Sequence, residues 1–188
     1  MDRNPDLFDI VETSRLRLRC VRLDDAAQIS EMMTPSVSRW VASWPMPFTI
    51  DMAIERITSM RHAATERRAL PCVVERRLDA ALLGWIAVTR SGAEDHRAML
   101  GYWMGDIHQG HGYMREAAPA AVKSAFRLFD VDVIEAAAQP GNVASLAVLR
   151  GCGMAQVGER AIYAPARARN ELCLVHEVAR TSIQIPET

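Results

Sequence analysis

One stretch concentrates residue types able to do chemistry: Gly101-Tyr102-Trp103-Met104-Gly105-Asp106-Ile107-His108-Gln109-Gly110-His111-Gly112-Tyr113-Met114-Arg115-Glu116-Ala117. The spacing predicts a strand that runs into a glycine-rich turn, and a helix that the turn opens. Such a turn presents unpaired backbone N–H groups beside the positive end of a helix dipole, an arrangement suited to phosphate. Gly110 and Gly112 allow positive φ and close approach of an anion. At about 1.5–3 kcal/mol per charge-assisted bond, four or five amides hold a pyrophosphate without any lysine. A Walker loop is excluded because no Gly-Lys-Ser/Thr occurs, and the dinucleotide fingerprint fails for want of a third glycine after Gly112. His108 and His111 stand three apart, but no carboxylate or cysteine completes an obvious ligand set, so no metal is expected. An unrelated phosphate-binding α/β protein stays open on these grounds.

The elements that must position this stretch are legible around it. Arg15 to Val21 alternates charged and apolar residues as a half-exposed strand does. Asp24 is placed to cap a helix carrying Ala26, Ile29 and Met33. Residues 34–49, rich in proline and holding Trp40 and Trp44, read as a loop or short helix with aromatic lining. Ala53, Ile57, Met60 and Ala64 predict a helix from about Asp51 to Glu66, with Arg61, Arg67 and Arg68 on a solvated face. Strands follow at Ala69–Arg76, Leu82–Arg90 and Arg97–Met104, the last two joined by a turn at Ser91-Gly92-Ala93-Glu94-Asp95. A helix from about Gly112 to Phe129 contains Pro119, which removes one helical hydrogen bond and favours a kink. A strand at Val131–Ala138, a helix at Asn142–Cys152, and strands near Met154–Tyr163 and Glu171–Arg180 complete the series. Taken locally, Asn142 is a helix cap and Ser145 a polar third residue. An antiparallel block followed by one β-α-β unit makes a mixed α/β fold with one parallel strand pair.

With 188 residues the chain reads as a single domain, its core at about 12–180 and residues 1–11 and 181–188 as tails. A net charge of −1 gives no electrostatic case for nucleic-acid binding. No apolar run approaches the roughly 20 residues that cross a bilayer. Residues 1–12 are polar and acidic, unlike a signal peptide, and the four cysteines lack Cys-x-x-Cys spacing, so a reduced, cytoplasmic protein is expected.

In these same segments the chain resembles the GCN5-related N-acetyltransferase (GNAT) family, in its ribosomal-protein N-acetyltransferase-like branch. That family's cofactor loop reads Gln/Arg-x-x-Gly-x-Gly/Ala. Here Gln109-Gly110-His111-Gly112-Tyr113-Met114 stands in its place, followed by the branch-typical Glu116-Ala117. Gly101-Tyr102-Trp103 is similar to the strand before that loop, and Asn142-Val143-Ala144-Ser145 to the Asn-x-x-Ser after the next strand. Gly153-Met154 stands where Gly-Phe is usual, and Arg15-Leu16 with Leu18-Arg19 fits the opening strand. The resemblance spans roughly residues 12–180. It implies a mostly antiparallel twisted sheet with one central splayed parallel pair and helices on both faces. It implies an acetyl-CoA-dependent N-acetyltransferase acting on a primary amine by direct attack on the thioester. By the same resemblance, pantetheine lies along the strand ending at Trp103, Met104 and Gly105. The amides of Gln109, Gly110, His111, Gly112, Tyr113 and Met114 hold the pyrophosphate, and Asn142 and Ser145 lie beside the thioester. A hydroxyl at Ser145 then protonates the leaving thiolate. A homodimer is compatible with the branch. Two positions depart from the pattern: Met114 replaces a small residue, and Met99 stands where the branch often carries Glu, so a familiar general base is missing. A catalytically silent acyl-CoA-binding module is the alternative reading.

Acetyl transfer needs a neutral amine. Near pH 7.4 a lysine amine is neutral about one time in a thousand and an α-amine nearly a third of the time, a difference of about 3–4 kcal/mol. Without the usual Glu, the expected acceptor is an α-amine of a protein or small molecule, deprotonated through water. Asp106, His108, His96 and Glu159 are the other candidate bases, and Tyr163 is a second candidate acid. Trp40 and Trp44 are candidate walls of an acceptor pocket.

Overall fold

Eight strands form one sheet in a computed structural model that describes residues 6–92 and 96–183. They are β1 (Val11–Glu12), β2 (Leu16–Cys20), β3 (Ala69–Arg76), β4 (Leu82–Arg90), β5 (Arg97–Met104), β6 (Val133–Ala138), β7 (Ala155–Ala164) and β8 (Arg169–Ala179). The order across the sheet is β1-β2-β3-β4-β5-β6-β8-β7, and every neighbouring pair is antiparallel except β5 with β6. Helices α1 (Ala26–Met32), α2 (Pro35–Ser38) and α3 (Ile50–Thr65) lie between β2 and β3 in the chain; α4 (Tyr113–Leu128) joins β5 to β6, and α5 (Val143–Gly151) follows β6. This is the mixed α/β architecture, mostly antiparallel with one parallel pair, that the sequence predicts.

Each face of the sheet has its own core. Against one face, Ala117, Ala121 and Phe126 of α4 and Leu149 of α5 pack on Leu18, Leu70 and Ile134. The apolar positions of α4 recur every three or four residues, and the alanines among them let the helix lie close to the strands. Against the other face, Ile29 of α1 and Ile57 of α3 pack with Trp44, Trp85 and Trp103. Thr49 starts α3, its Oγ1 accepting from the N–H of Met52 at 3.3 Å.

The topology opens the sheet at its centre. β5 pairs with β6 only over Arg97–Met99 against Val133–Glu135. Beyond that, β5 stays with β4 as far as Met104 opposite Gly84, while β6 follows β8 as far as Ala138 opposite Leu174. The facing edges of residues 100–104 and 136–138 therefore have no strand partner in each other. Gly84 sets how closely β4 approaches β5 here: a Cβ on it would stand 2.3 Å from the Trp103 carbonyl oxygen and 2.9 Å from Met104 Cα.

Several local expectations need correction. Asp25, not Asp24, organises the start of the first helical segment: its carboxylate accepts from the Arg22 N–H at 2.7 Å and pairs with Arg19 at 2.8 Å, while Asp24 is exposed. Its burial beside an arginine explains the preference. Arg61 is not on a solvated face, since it donates to the Val21 carbonyl at 2.6 Å, and Arg67 and Arg68 lie beyond the end of α3. The helical span of α4 runs unbroken through Pro119. Of the segments read as tails, residues 1–5 and 184–188 lie outside the described residues, and so do residues 93–95 of the turn between β4 and β5.

Candidate active site

The splay between β5 and β6 is a cleft of about 880 Å³. The end of β5 feeds a short 3₁₀ turn at Asp106–His108, and the chain then passes Gln109 and two left-handed glycines, Gly110 (φ 78°) and Gly112 (φ 74°), into α4. Gly112 is the helix cap and supplies no side-chain oxygen. Among the described residues, no protein acceptor takes the N–H of any residue from Gly110 to Arg115. Six successive amides at the positive end of a 16-residue helix are thus open to an anion.

A web of polar contacts holds this turn in shape. Gln109 Nε2 donates to the Met104 carbonyl at 3.0 Å, which closes the turn on its own strand. Asp106 accepts from Thr34 and Ser36, tying the turn to the α1–α2 segment. Glu116 accepts from Thr13 Oγ1 (2.6 Å), Ser14 Oγ (3.0 Å), the Arg15 N–H (2.8 Å) and Arg15 Nε (2.7 Å). Burial pushes the Glu116 carboxyl up, but these donors outweigh it and hold the group at about 2. Arg15 also donates to the His111 carbonyl at 3.1 Å and lies 4.8 Å over the Tyr113 ring.

Across the cleft, α5 begins at Asn142, whose Oδ1 accepts from the Ser145 N–H at 3.1 Å. The Ser145 hydroxyl stands 2.8 Å from the Tyr102 hydroxyl, which also lies 3.2 Å from the Ser145 carbonyl. Burial pushes the Tyr102 phenol above its ordinary range, so it stays protonated and orients the serine. The far wall is aromatic: the Trp44 ring lies 5.4 Å from Trp85 and 5.3 Å from Trp103, both edge-on. The Arg56 guanidinium covers Trp44 at 4.3 Å. Burial pulls Arg56 down from its usual range.

Of the residues singled out in the sequence, Trp103, Met104, Gln109, Gly110, Gly112, Tyr113 and Met114 line the cleft, and so do Asn142 and Ser145. Gly105 and His111 stand outside its wall; the His111 ring stacks on Tyr113 at 5.6 Å and its Nδ1 faces the Gln109 carbonyl at 2.8 Å. Trp40, Trp44 and Met99 also line it. Among the candidate bases only His108 does, and burial lowers its affinity for a proton. Asp106 is engaged with α2, while His96, Glu159 and Tyr163 are exposed and away from the cleft. Sequence reasoning missed the Tyr102–Ser145 contact and Arg56. The first joins residues 43 apart in the chain; the second reads as one more charge on an amphipathic helix.

The description "Acetyltransferase (GNAT) domain" matches residues 15–155 of this chain. A Bacillus licheniformis protein called "Uncharacterized N-acetyltransferase p20" is 26% identical over 164 residues, 86% of this chain and 91% of its own length. Among solved structures, RimJ of Mycobacterium smegmatis in complex with CoA-disulfide aligns at a TM-score of 0.79, with 23% identity, over 92% of this chain and 85% of that one. Ribosomal-protein-S5-alanine acetyltransferase of Vibrio fischeri aligns at 0.81, with 20% identity, over 94% and 100%. The matched segment takes in the splayed pair, the glycine turn and the start of α5, and it covers well over half of the chain: the protein belongs to the acetyltransferase (GNAT) family.

Proposed function

We propose that this acyltransferase uses acetyl-CoA to acetylate an α-amine. The observation that carries this reading is the run of free amides from Gly110 to Arg115, set across the cleft from the Ser145 hydroxyl. A diphosphate bound to those amides satisfies donors that otherwise face solvent, and each such bond contributes about 1.5–3 kcal/mol. The backbone edge of residues 100–103, which has no partner in β6, then offers strand-like hydrogen bonds to the two amides of a pantetheine arm. The arm supplies a thioester, whose acyl carbon is the electrophile. Tyr102 holds the Ser145 hydroxyl, leaving its proton available to a departing thiolate sulfur. Asn142 keeps the turn of α5 in place through the Ser145 N–H.

No Asp or Glu lines the cleft among the described residues, so no carboxylate there takes the amine proton. An amine that is neutral a third of the time needs little help; lysine requires about 3–4 kcal/mol more. Solvent reaching the cleft accepts the proton.

The test is release of CoA thiol from acetyl-CoA with a peptide bearing a free N-terminus, set against its N-blocked, lysine-containing counterpart. All four cysteines are buried, and burial pushes the Cys152 thiol to about 12, so the thiol signal belongs to the product. Faster release with the free N-terminus is expected. Preference for the lysine overturns the α-amine assignment, and calorimetric binding of acetyl-CoA with no release across a broad amine panel makes the chain a silent binding module.

A further inference from the structure

The charged residues of the cleft wall bear on the acceptor. Among the described residues its wall contains no carboxylate, and its arginines are Arg115, beside the glycine turn, and Arg56, on the tryptophan wall. Among the described residues Arg56 has no acidic partner: its guanidinium lies on Trp44, and its hydrogen bonds there go to Ser43. Its Nε is buried without an acceptor. The indole N–H of Trp103, a ring packed against the same Trp44, is likewise buried without an acceptor. Both atoms are sealed from solvent; what this aromatic wall offers the cleft is the Arg56 cation without an acidic partner among the described residues. An unsatisfied buried donor is costly, and a guanidinium more so than a neutral group.

We propose that this wall receives an acceptor carrying a carboxylate as well as its amine, with the carboxylate held by Arg56 and the apolar body of the molecule against Trp44, Trp85 and Trp103. The proposal deepens the acetyltransferase reading and rests on it. It excludes polycations such as polyamines and aminoglycosides, whose extra ammonium groups meet an arginine and no counter-charge. A carboxylate reaches this wall either as the C-terminus of a free amino acid or as an acidic side chain near a peptide N-terminus.

The experiment compares kcat/KM, expressed per neutral amine because the carboxylate of a free amino acid raises the pKa of its own amine, for phenylalanine, phenylalaninamide, a C-amidated peptide with Asp at its second position, the same peptide with Asn there, and spermidine. Each is run with the natural protein, Arg56→Met, which keeps an apolar stem on Trp44, and Arg56→Lys, which keeps the charge. The expected result is a 10- to 100-fold preference for one carboxylate over its neutral partner, lost in Arg56→Met and partly restored in Arg56→Lys. Which pair shows it separates the free amino acid from the acidic peptide. Equal rates for both pairs, a preference that survives Arg56→Met, or best turnover of spermidine overturns the proposal. Titration of tryptophan emission with N-acetylphenylalanine and its amide, with CoA present, decides the same question without turnover. If no amine is acetylated yet the carboxylate form binds more tightly through Arg56, the catalytic reading fails and the carboxylate site stands.

Discussion

Replacing Gly112 separates backbone strain from obstruction of the anion cradle. The residue has φ 74°, and a Cβ added to it would meet nothing closer than Arg15 Nη2 at 3.7 Å, an ordinary contact. Gly112→Ala therefore clashes with no neighbour and bears only the left-handed backbone penalty of about 1–2 kcal/mol. For a domain of this size that is a fall in Tm of about 2–8 °C. Gly112→Val adds branched methyls where the open amides converge. Losing two of those amides to a diphosphate costs about 3–6 kcal/mol, a weakening of a hundredfold or more. Thermal melts and calorimetric titration with CoA measure both quantities. The expected pattern is a modest Tm loss in Gly112→Ala and a collapse of CoA affinity in a still-folded Gly112→Val. A folded Gly112→Val with natural CoA affinity refutes the cradle.

Ser145→Ala is expected to lower kcat by about a hundredfold, the scale of a lost proton donor, while the Kd for acetyl-CoA moves far less; an unchanged rate removes Ser145 from the acid role. Tyr102→Phe keeps the ring and removes the hydroxyl 2.8 Å from Ser145, so it lowers kcat by a smaller factor, and no further loss is expected when it is combined with Ser145→Ala. Gly84→Ala sets a Cβ 2.3 Å from the Trp103 carbonyl, and chemical denaturation is expected to show a loss of about 3 kcal/mol; a stability equal to the natural protein's refutes the close approach of β4 and β5. The Glu116 carboxyl is held at about 2 against an ordinary 4.5, so its contribution is present above pH 4.5 and lost as pH falls toward 2. The Tm gap between the natural protein and Glu116→Gln is expected to close over that window, and a gap independent of pH contradicts the staple.

The three strands at the centre of the sheet were legible because periodicity and turn residues agree there: Ala69–Arg76, Leu82–Arg90 and Arg97–Met104 are the observed β3, β4 and β5. The glycine turn was legible because its residues have no use in a core. Strand β1 was not, since two residues are too few to show a period, and their partners, Arg17 for Glu12 and the α4-side core for Val11, are set by the fold. Asp24 and Asp25 are indistinguishable as caps until Arg19 is seen to choose the second. Gly84 carries no local signal, because its reason is the Trp103 carbonyl on another strand. The reach of Tyr102 to Ser145, and the lack of an ion pair at Arg56 among the described residues, depend on how β5, α3 and α5 come together, which no spacing within one segment encodes.

A crystal structure of the protein with CoA tests the central claim most directly. The expected result is a diphosphate whose oxygens lie about 2.7–3.2 Å from amides between Gly110 and Arg115, with the thiol beside the Ser145 hydroxyl. CoA bound elsewhere, or a 109–114 turn folded inward with its amides paired to protein, would contradict it.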